Sequence, residues 1–397
     1  MARAQGNEKQ LWDDAKQVTI VGAGPAGLAC AIVLARAGRK VIVREWHKTV
    51  GNRFHGDFQG LENWSDGRDV LDELRAAGVD SNFDCHPVRE STAFDSWGKA
   101  YPIRSERPLY YLVQRGNDAA SLDSGLLTQA LKLGAEVRFG DRVTKTSGST
   151  ILAIGPRIAD AIAAGYVFET DRPDGSWIVF NNALAPQGYS YLLTHGGHGT
   201  VASCLFTDFK RQAEYVERTV AFFRERADLE MLNPKPFGGF ANFRLARTAV
   251  QGGHPVIGEQ AGFQDALAGF GMRYALRSGI LAARSVIESV DYHALWRREF
   301  LPLLRTGISN RFLFKAAGDR GWRWALRGLT RSDTVGKLQR LYRPSILTRL
   351  VFPIAYLQNR RSLQDPSCDH IDCGCVWCQH GMRAMAEVNL SNQEECY

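Results

Sequence analysis

Residues 18–45 constrain this chain more than any other segment. Val18-Thr-Ile-Val-Gly-Ala-Gly-Pro-Ala-Gly27 passes from a β-branched apolar run into Gly22-x-Gly24-x-x-Gly27, residues 28–36 have helical composition, and Val41-Ile-Val-Arg-Glu45 is a second apolar run ending in an acid. Strand, glycine turn, helix and strand make a dinucleotide fingerprint. Gly22 permits the tight turn, Gly24 lets the backbone approach a pyrophosphate, and Gly27 lets the helix pack closely on the strand. Pro25 and Ala26 lie in the same turn, where the helix N-terminus offers free N–H groups and a partial positive charge to phosphates. Glu45, eighteen residues beyond the last glycine, can accept hydrogen bonds from a ribose. A glycine-rich helix-packing turn is the alternative, but strand, helix and acid all agree with a dinucleotide ligand.

A chain of 397 residues can bury a large core, and the pattern predicts two interleaved domains followed by a tail. The net charge of +7 is unevenly spread. Residues 291–361 hold fifteen Lys and Arg against four acids, or +11, which leaves the remainder near −4. No nucleic-acid motif accompanies this segment, so no nucleic-acid partner is expected, and an anionic membrane surface or an acidic partner ranks higher. A solvated helical face remains open. Residues 1–16 contain no apolar stretch of the signal-peptide kind. Residues 18–35 carry no charge, yet Gly22, Gly24, Pro25 and Gly27 make them a fingerprint rather than a membrane span. The expectation is a cytoplasmic protein, with peripheral contact to the inner face of a membrane as an extension.

Along the chain, residues 50–64 form a loop rich in glycine and aromatics, suited to wrapping a ligand. A helix is expected near 68–77, a short β-like excursion over 91–103, a strand at 110–115, a helix at 126–133 and strands at 135–139 and 150–155. Residues 166–206 alternate polar and apolar side chains between turn signals, as an antiparallel sheet does. A helix over 209–226 follows, residues 256–262 return to the nucleotide-binding core, and the pattern beyond 292 is helical, basic and aromatic. The expected domains are 17–165 and 236–290 for the nucleotide, 166–235 for a substrate sheet, 291–361 for a basic helical region, and 362–397 for a tail.

Late in the chain stand Gly258-Glu259, Gly262-Phe-Gln-Asp265 and Gly269-Phe270-Gly271, which opens a helix. Together with the first fingerprint, over residues 17–290, this resembles the geranylgeranyl reductase-like branch of FAD-dependent oxidoreductases, related to hydroxylase-type and glutathione reductase-type flavoproteins. The resemblance implies an α/β fold with a Rossmann-like FAD-binding domain, an inserted antiparallel β-sheet substrate domain and a helical C-terminal region. It also implies that Glu259, where the family commonly has Asp, meets a ribityl hydroxyl. Gly269-Phe270-Gly271 would face the flavin pyrimidine ring, where a helix N-terminus stabilises the negative charge gained on reduction. Arg115, followed by Asp123 near a helix start, would contact the FAD phosphates or ribityl chain, and Arg53 and Asp265 join the cofactor set. Tyr189-Ser-Tyr191-Leu-Leu193 is similar to the aromatic motif lining a lipid-sized cavity in the family, and alternation puts Tyr189, Tyr191 and Leu193 on one face. The chain departs from the family where Thr194-His195 replaces Pro-Lys, and where Phe54-His55-Gly56-Asp57 replaces a cysteine-bearing loop.

No second dinucleotide fingerprint for NAD(P)H is visible. The Asp-Gly motif of flavin hydroxylases and the Trp-x-Trp of flavin halogenases are missing, Ala153-Ile-Gly155-Pro-Arg occupying the former's place. The expected activity is hydride transfer through flavin N5 to or from an apolar, isoprenoid or lipid-like small molecule. An electron-transfer flavoprotein working with a ferredoxin or quinone, and a flavin monooxygenase, are the alternatives; the donor, NAD(P)H or a donor protein such as ferredoxin, stays open. His55 and Asp57 are candidates for proton delivery or substrate holding, with Tyr189 and Tyr191 as further catalytic candidates.

Four of the eight cysteines, Cys368, Cys373, Cys375 and Cys378, crowd together with two histidines. Thiolates this dense in a reducing compartment point to metal: structural zinc, or an iron–sulfur cluster that could feed electrons to the flavin, with a redox-active or disordered tail as the third possibility. The basic, aromatic stretch at 345–356 is too broken by Arg349 and Pro353 to span a bilayer, but it can lie on one.

Overall fold

The computed structural model describes residues 17–361 apart from 157–158, 246 and 331–332. The fingerprint builds its centre. Strands Gln17–Val21 and Lys40–Glu45 pair in parallel, and Thr150–Leu152 and Glu136–Phe139 extend them to a four-stranded parallel sheet. A parallel bridge from Leu152 to Val256 attaches the late segment to this sheet. Pro25 starts the helix Pro25–Arg36 just inside its N-terminus, where a missing N–H costs nothing. Its run from Ala26 to Val33 is apolar on every side because the sheet covers one face and the helix Met272–Ile287 another. Ile20, Leu28, Ile32 and Leu34 are fully buried here, each worth about 1.5–3 kcal/mol of apolar transfer.

A second sheet has seven strands, in the order Leu232–Ala241, Ala161–Glu169, His198–Leu205, Tyr189–His195, Gly175–Val179, Glu90–Phe94, Ala100–Arg104. This differs from the sequence expectation in two ways. The sheet begins at Ala161 rather than Tyr166, and it recruits residues 90–104, which sequence order assigns to the nucleotide domain. It is antiparallel except where Gly175–Val179 runs parallel to Glu90–Phe94. The helix Gln212–Ala227 covers one face through Val216, Val220 and Phe223. A three-stranded sheet of Phe58–Glu62, Tyr110–Gln114 and Cys85–Val88 stands between the two larger ones.

The basic region is helical, as the sequence indicates: Tyr292–Glu299, Leu301–Leu329 with a break at Gly318, Thr334–Tyr342 and Ile346–Arg361. Asp291 caps the first of these through the N–H groups of His293 and Ala294. Among the described residues no helix is long and apolar enough to cross a membrane. Residues 1–16 and the tail with Cys368, Cys373, Cys375 and Cys378 lie outside the described residues.

Candidate cofactor-binding site

The two halves of the expected cofactor motif meet in space. A Cβ on Gly279 would lie 2.1 Å from the carbonyl oxygen of Ala26, and one on Gly258 would lie 3.0 Å from the Ala26 Cβ, so the late helix and turn sit directly on the fingerprint. The fingerprint's own glycines do different jobs. Gly22 has φ +111° and faces the Ala153 carbonyl, and a Cβ on Gly27 would come within 2.0 Å of the Gly22 carbonyl oxygen. Both positions are dictated by close backbone packing. Gly24 meets no protein atom within 4 Å of an added Cβ, and no side chain caps the helix it begins. The first N–H groups therefore face an open cradle that fits a pyrophosphate. Glu45 stands at the edge of this turn, with one carboxylate oxygen accepting the Ala23 N–H at 2.7 Å and the other that of His47 at 2.9 Å.

Arg53 and Glu259 form an ion pair at 3.1 Å, in which Arg53 also donates to the Phe240 carbonyl and Glu259 accepts from Gln264. Arg115 is buried and binds Asp123 through two N–H groups, at 2.8 and 3.0 Å, and Gln59 through a third. Burial works against its charge, but the Asp123 carboxylate keeps it firmly protonated. Two of its five N–H bonds are left over for a ligand. The Arg115–Asp123 contact is thus an interior clamp that also holds the Gly116 N–H, not a surface pair.

The other candidates divide. The Asp57 carboxylate is buried and taken up by the His55 N–H and the Gln59 amide, so it braces its own loop. His55 itself is exposed. Asp265 accepts the N–H groups of Leu267 and Ala268 and the Tyr342 hydroxyl at 2.7 Å; burial pushes its carboxyl up to about 6 despite these donors. It shapes the loop leading to Gly269, Phe270 and Gly271. Phe270 packs edge-on against Trp64, and Gly271 is the N-cap of Met272–Ile287, again without a side-chain cap. Tyr189 donates to the Ala268 carbonyl at 2.6 Å, tying the seven-stranded sheet to that loop, and Tyr191 lies beside it at 6.3 Å between rings. Burial raises both phenols well above the ordinary tyrosine value, so both stay protonated.

Several contributors escape sequence reasoning. Gln59 links Asp57 to Arg115, Gln264 holds Glu259, and the Ser278 hydroxyl accepts the Gly258 N–H. Arg311, on the basic helix, donates to the carbonyls of Ala266, Leu267 and Gln187; burial lowers its guanidinium to about 9.

Fold and cradle define a dinucleotide-binding flavoprotein. Residues 15–151 match the family described as FAD binding domain. Among solved structures, a geranylgeranyl bacteriochlorophyll reductase-like protein from Thermoplasma acidophilum superposes with a TM-score of 0.64 over 88% of this chain and 98% of its own, at 17% identity. A flavin-dependent brominase gives 0.59 over 87% and 98%, at 18% identity. At such identities the likeness is one of fold. The putative oxidoreductase UacF of Escherichia coli (strain K12) is 36% identical over 84 residues, 20% of this chain and 13% of its own length. The matched segments span only 13–37% of the curated relatives.

Proposed function

We propose that this chain transfers hydride between FAD and an apolar, isoprenoid- or lipid-like substrate held against the seven-stranded sheet. The observation that carries this reading is the apolar character of the wall beside Gly269–Gly271. Trp64, Tyr110, Leu193 and Leu267 belong to one buried cluster, with Phe180, Tyr191, Phe270 and Phe314 packed against it. Trp322 is stacked between Phe180 and Phe314, with ring centroids 4.2 and 4.5 Å away. At the helix break a small cleft is lined by Leu267, Phe314 and Trp322 together with the polar side chains of Asn182, Gln187, Arg311 and Lys315.

Bound FAD supplies a two-electron donor or acceptor; the chain supplies the surroundings. The aromatic wall excludes water, and the uncapped helix start at Gly271 favours negative charge next to it. Tyr189 is committed to Ala268, which leaves the Tyr191 phenol, neutral and on the same strand face, as the proton donor when a carbon–carbon double bond is reduced. Neither phenol can act as a base at neutral pH. Within this reading, the basic C-terminal helices dock on an anionic lipid surface. Ile346, Leu350, Ile354 and Leu357 form an exposed apolar stripe on Ile346–Arg361, and residues 334–361 hold six Lys and Arg and no acid.

The test is anaerobic reduction of the FAD-loaded protein by NADPH and by a reduced ferredoxin, followed by incubation with lipid extracts and mass spectrometry. A lipid product changed by two hydrogens supports the proposal. Ready reduction by ferredoxin with no product in any extract would replace it with an electron-transfer role, and oxygen incorporated into a product would replace it with monooxygenation.

A further inference from the structure

We propose that His86, Asp174 and His195 form a binding site for a divalent cation of the zinc class. This site does not rest on the proposed reaction and is distinct from the cysteine tail. Its three residues come from separate places: the edge strand Cys85–Val88, the turn before Gly175–Val179 and the end of Tyr189–His195. One donor atom from each lies within 4.8 Å of the others. The imidazoles face one another with ring centroids 4.3 Å apart, and the His195 Nδ1 is 2.6 Å from a carboxylate oxygen of Asp174. The second oxygen of Asp174 accepts the Gly196 N–H at 2.9 Å, which fixes the carboxylate toward the rings. Among the described residues the His86 ring makes no hydrogen bond, so its nitrogens are free to coordinate.

Two neutral imidazoles and one carboxylate suit zinc and its neighbours, which bind such donors at about 2.0–2.2 Å and leave a fourth position for water or a substrate oxygen. Tetrahedral donors at those lengths are roughly 3.4 Å apart, so the widest separation, up to 4.8 Å, must close while the His195–Asp174 pair, at 2.6 Å, must open. Side chains that are exposed or half-buried can do this by rotation. When the cation is held by His195 Nδ1, the neutral ring carries its one proton on Nε2. Its location gives it a job. His195 continues the strand face of Tyr191 and Leu193, and Phe58 of the three-stranded sheet packs edge-on against it. A bound ion therefore fastens the edge of the three-stranded sheet to the end of the substrate sheet, at the border of the apolar cluster.

The test counts zinc by mass spectrometry in the full FAD-loaded protein after dialysis against buffered zinc, in wild type and in His86→Asn, Asp174→Ala and His195→Asn. Thiols of the tail contribute equally to all four proteins, so differences isolate this site. The expected result is one zinc fewer in each variant, with FAD content and circular dichroism unchanged in His86→Asn, and affinity at this site weakened by more than about 100-fold, beyond what loss of a merely supporting partner costs. Equal zinc content in wild type and all three variants overturns the proposal and leaves a stacked histidine pair with an ordinary hydrogen bond to Asp174.

Discussion

Replacing Gly24 and Gly27 separately by alanine will split the fingerprint into a ligand-dictated and a fold-dictated position. At Gly27 the new Cβ would stand 2.0 Å from the Gly22 carbonyl oxygen, a full ångström inside the 3.0 Å that real Cβ atoms keep. Relief requires the helix Pro25–Arg36 to move off its strand, against a packed interior in which Leu28, Ala29 and Ile32 are fully buried. Overpacking of this kind costs about 1–3 kcal/mol or more, offset by no more than about 1 kcal/mol of improved helix propensity. At Gly24 the added methyl meets no protein atom, and the backbone at φ −76° and ψ 177° is open to any residue. The only structural cost is that of alanine at an N-cap, about 0.5–1 kcal/mol. Urea denaturation of FAD-stripped protein should therefore show Gly27→Ala clearly destabilised and Gly24→Ala within about 1 kcal/mol of wild type. FAD titration followed by flavin fluorescence should show the reverse emphasis, with Gly24→Ala weakened at least tenfold, or about 1.4 kcal/mol. If Gly24→Ala binds FAD as tightly as wild type, no pyrophosphate lies against that backbone, and the account of the cradle is wrong.

Three further outcomes follow from the same contacts. Arg115→Met should destabilise by about 3–5 kcal/mol, because it strands the buried carboxylate of Asp123, and Arg115→Met with Asp123→Leu should recover much of that loss; a single-variant cost under about 1 kcal/mol in urea melts would refute the clamp. Asp265, raised from 3.8 to about 6 in the folded protein, binds its proton more tightly there than when unfolded, so its contribution to stability is complete below pH 3.8 and is lost as pH rises through about 6. Asp265→Asn should remove about 3 kcal/mol of this pH dependence, seen as a flatter curve of unfolding free energy between about pH 4 and pH 7, and an unchanged slope would show the carboxyl to be unperturbed. Leu350→Glu with Ile354→Glu changes side chains that are 72% and 57% exposed, so folding should survive while cosedimentation with phosphatidylserine vesicles at low salt falls sharply; equal binding by variant and wild type would count against the apolar stripe as a lipid contact.

What the sequence makes legible depends on how local the physics is. The fingerprint is readable because turn, helix packing and ribose acid all fall within residues 18–45, and the late glycine segment because its spacing repeats a known pattern. Strand alternation exposes most of the inserted sheet, but not its claim on residues 90–104. Those strands pair with each other and with Gly175–Val179, some eighty residues away, and a short alternating run does not reveal its partner. Asp57 and Asp265 are read from the sequence as ligand contacts, and the fold adds what the sequence does not show, that both are buried and accept from nearby backbone or amide donors. A buried carboxylate must be given such partners to be tolerated. Asp265 accepts the N–H two residues ahead of it, as in an Asx turn, and Asp57 accepts that of His55, two residues before it. Nothing in the spacing of His86, Asp174 and His195 could have joined them, since three chain segments converge only once the sheets are stacked.

The C-terminal helices look in sequence like an appendage, and their charge draws attention to what lies outside the molecule. Their buried residues argue for a second role. Tyr342 donates to Asp265, Arg311 donates to the carbonyls of Ala266 and Leu267, and Asn310 holds the Leu341 carbonyl between two of the helices. Residues 265–268, which precede the Gly269–Gly271 helix start, are thus gripped from one side by these helices and from the other by Tyr189 of the seven-stranded sheet. A loop held on both sides cannot shift without breaking hydrogen bonds to one neighbour or the other, and each buried donor left unmade costs about 1–3 kcal/mol. The helix N-terminus at Gly271 is therefore positioned jointly by the C-terminal helices and the seven-stranded sheet.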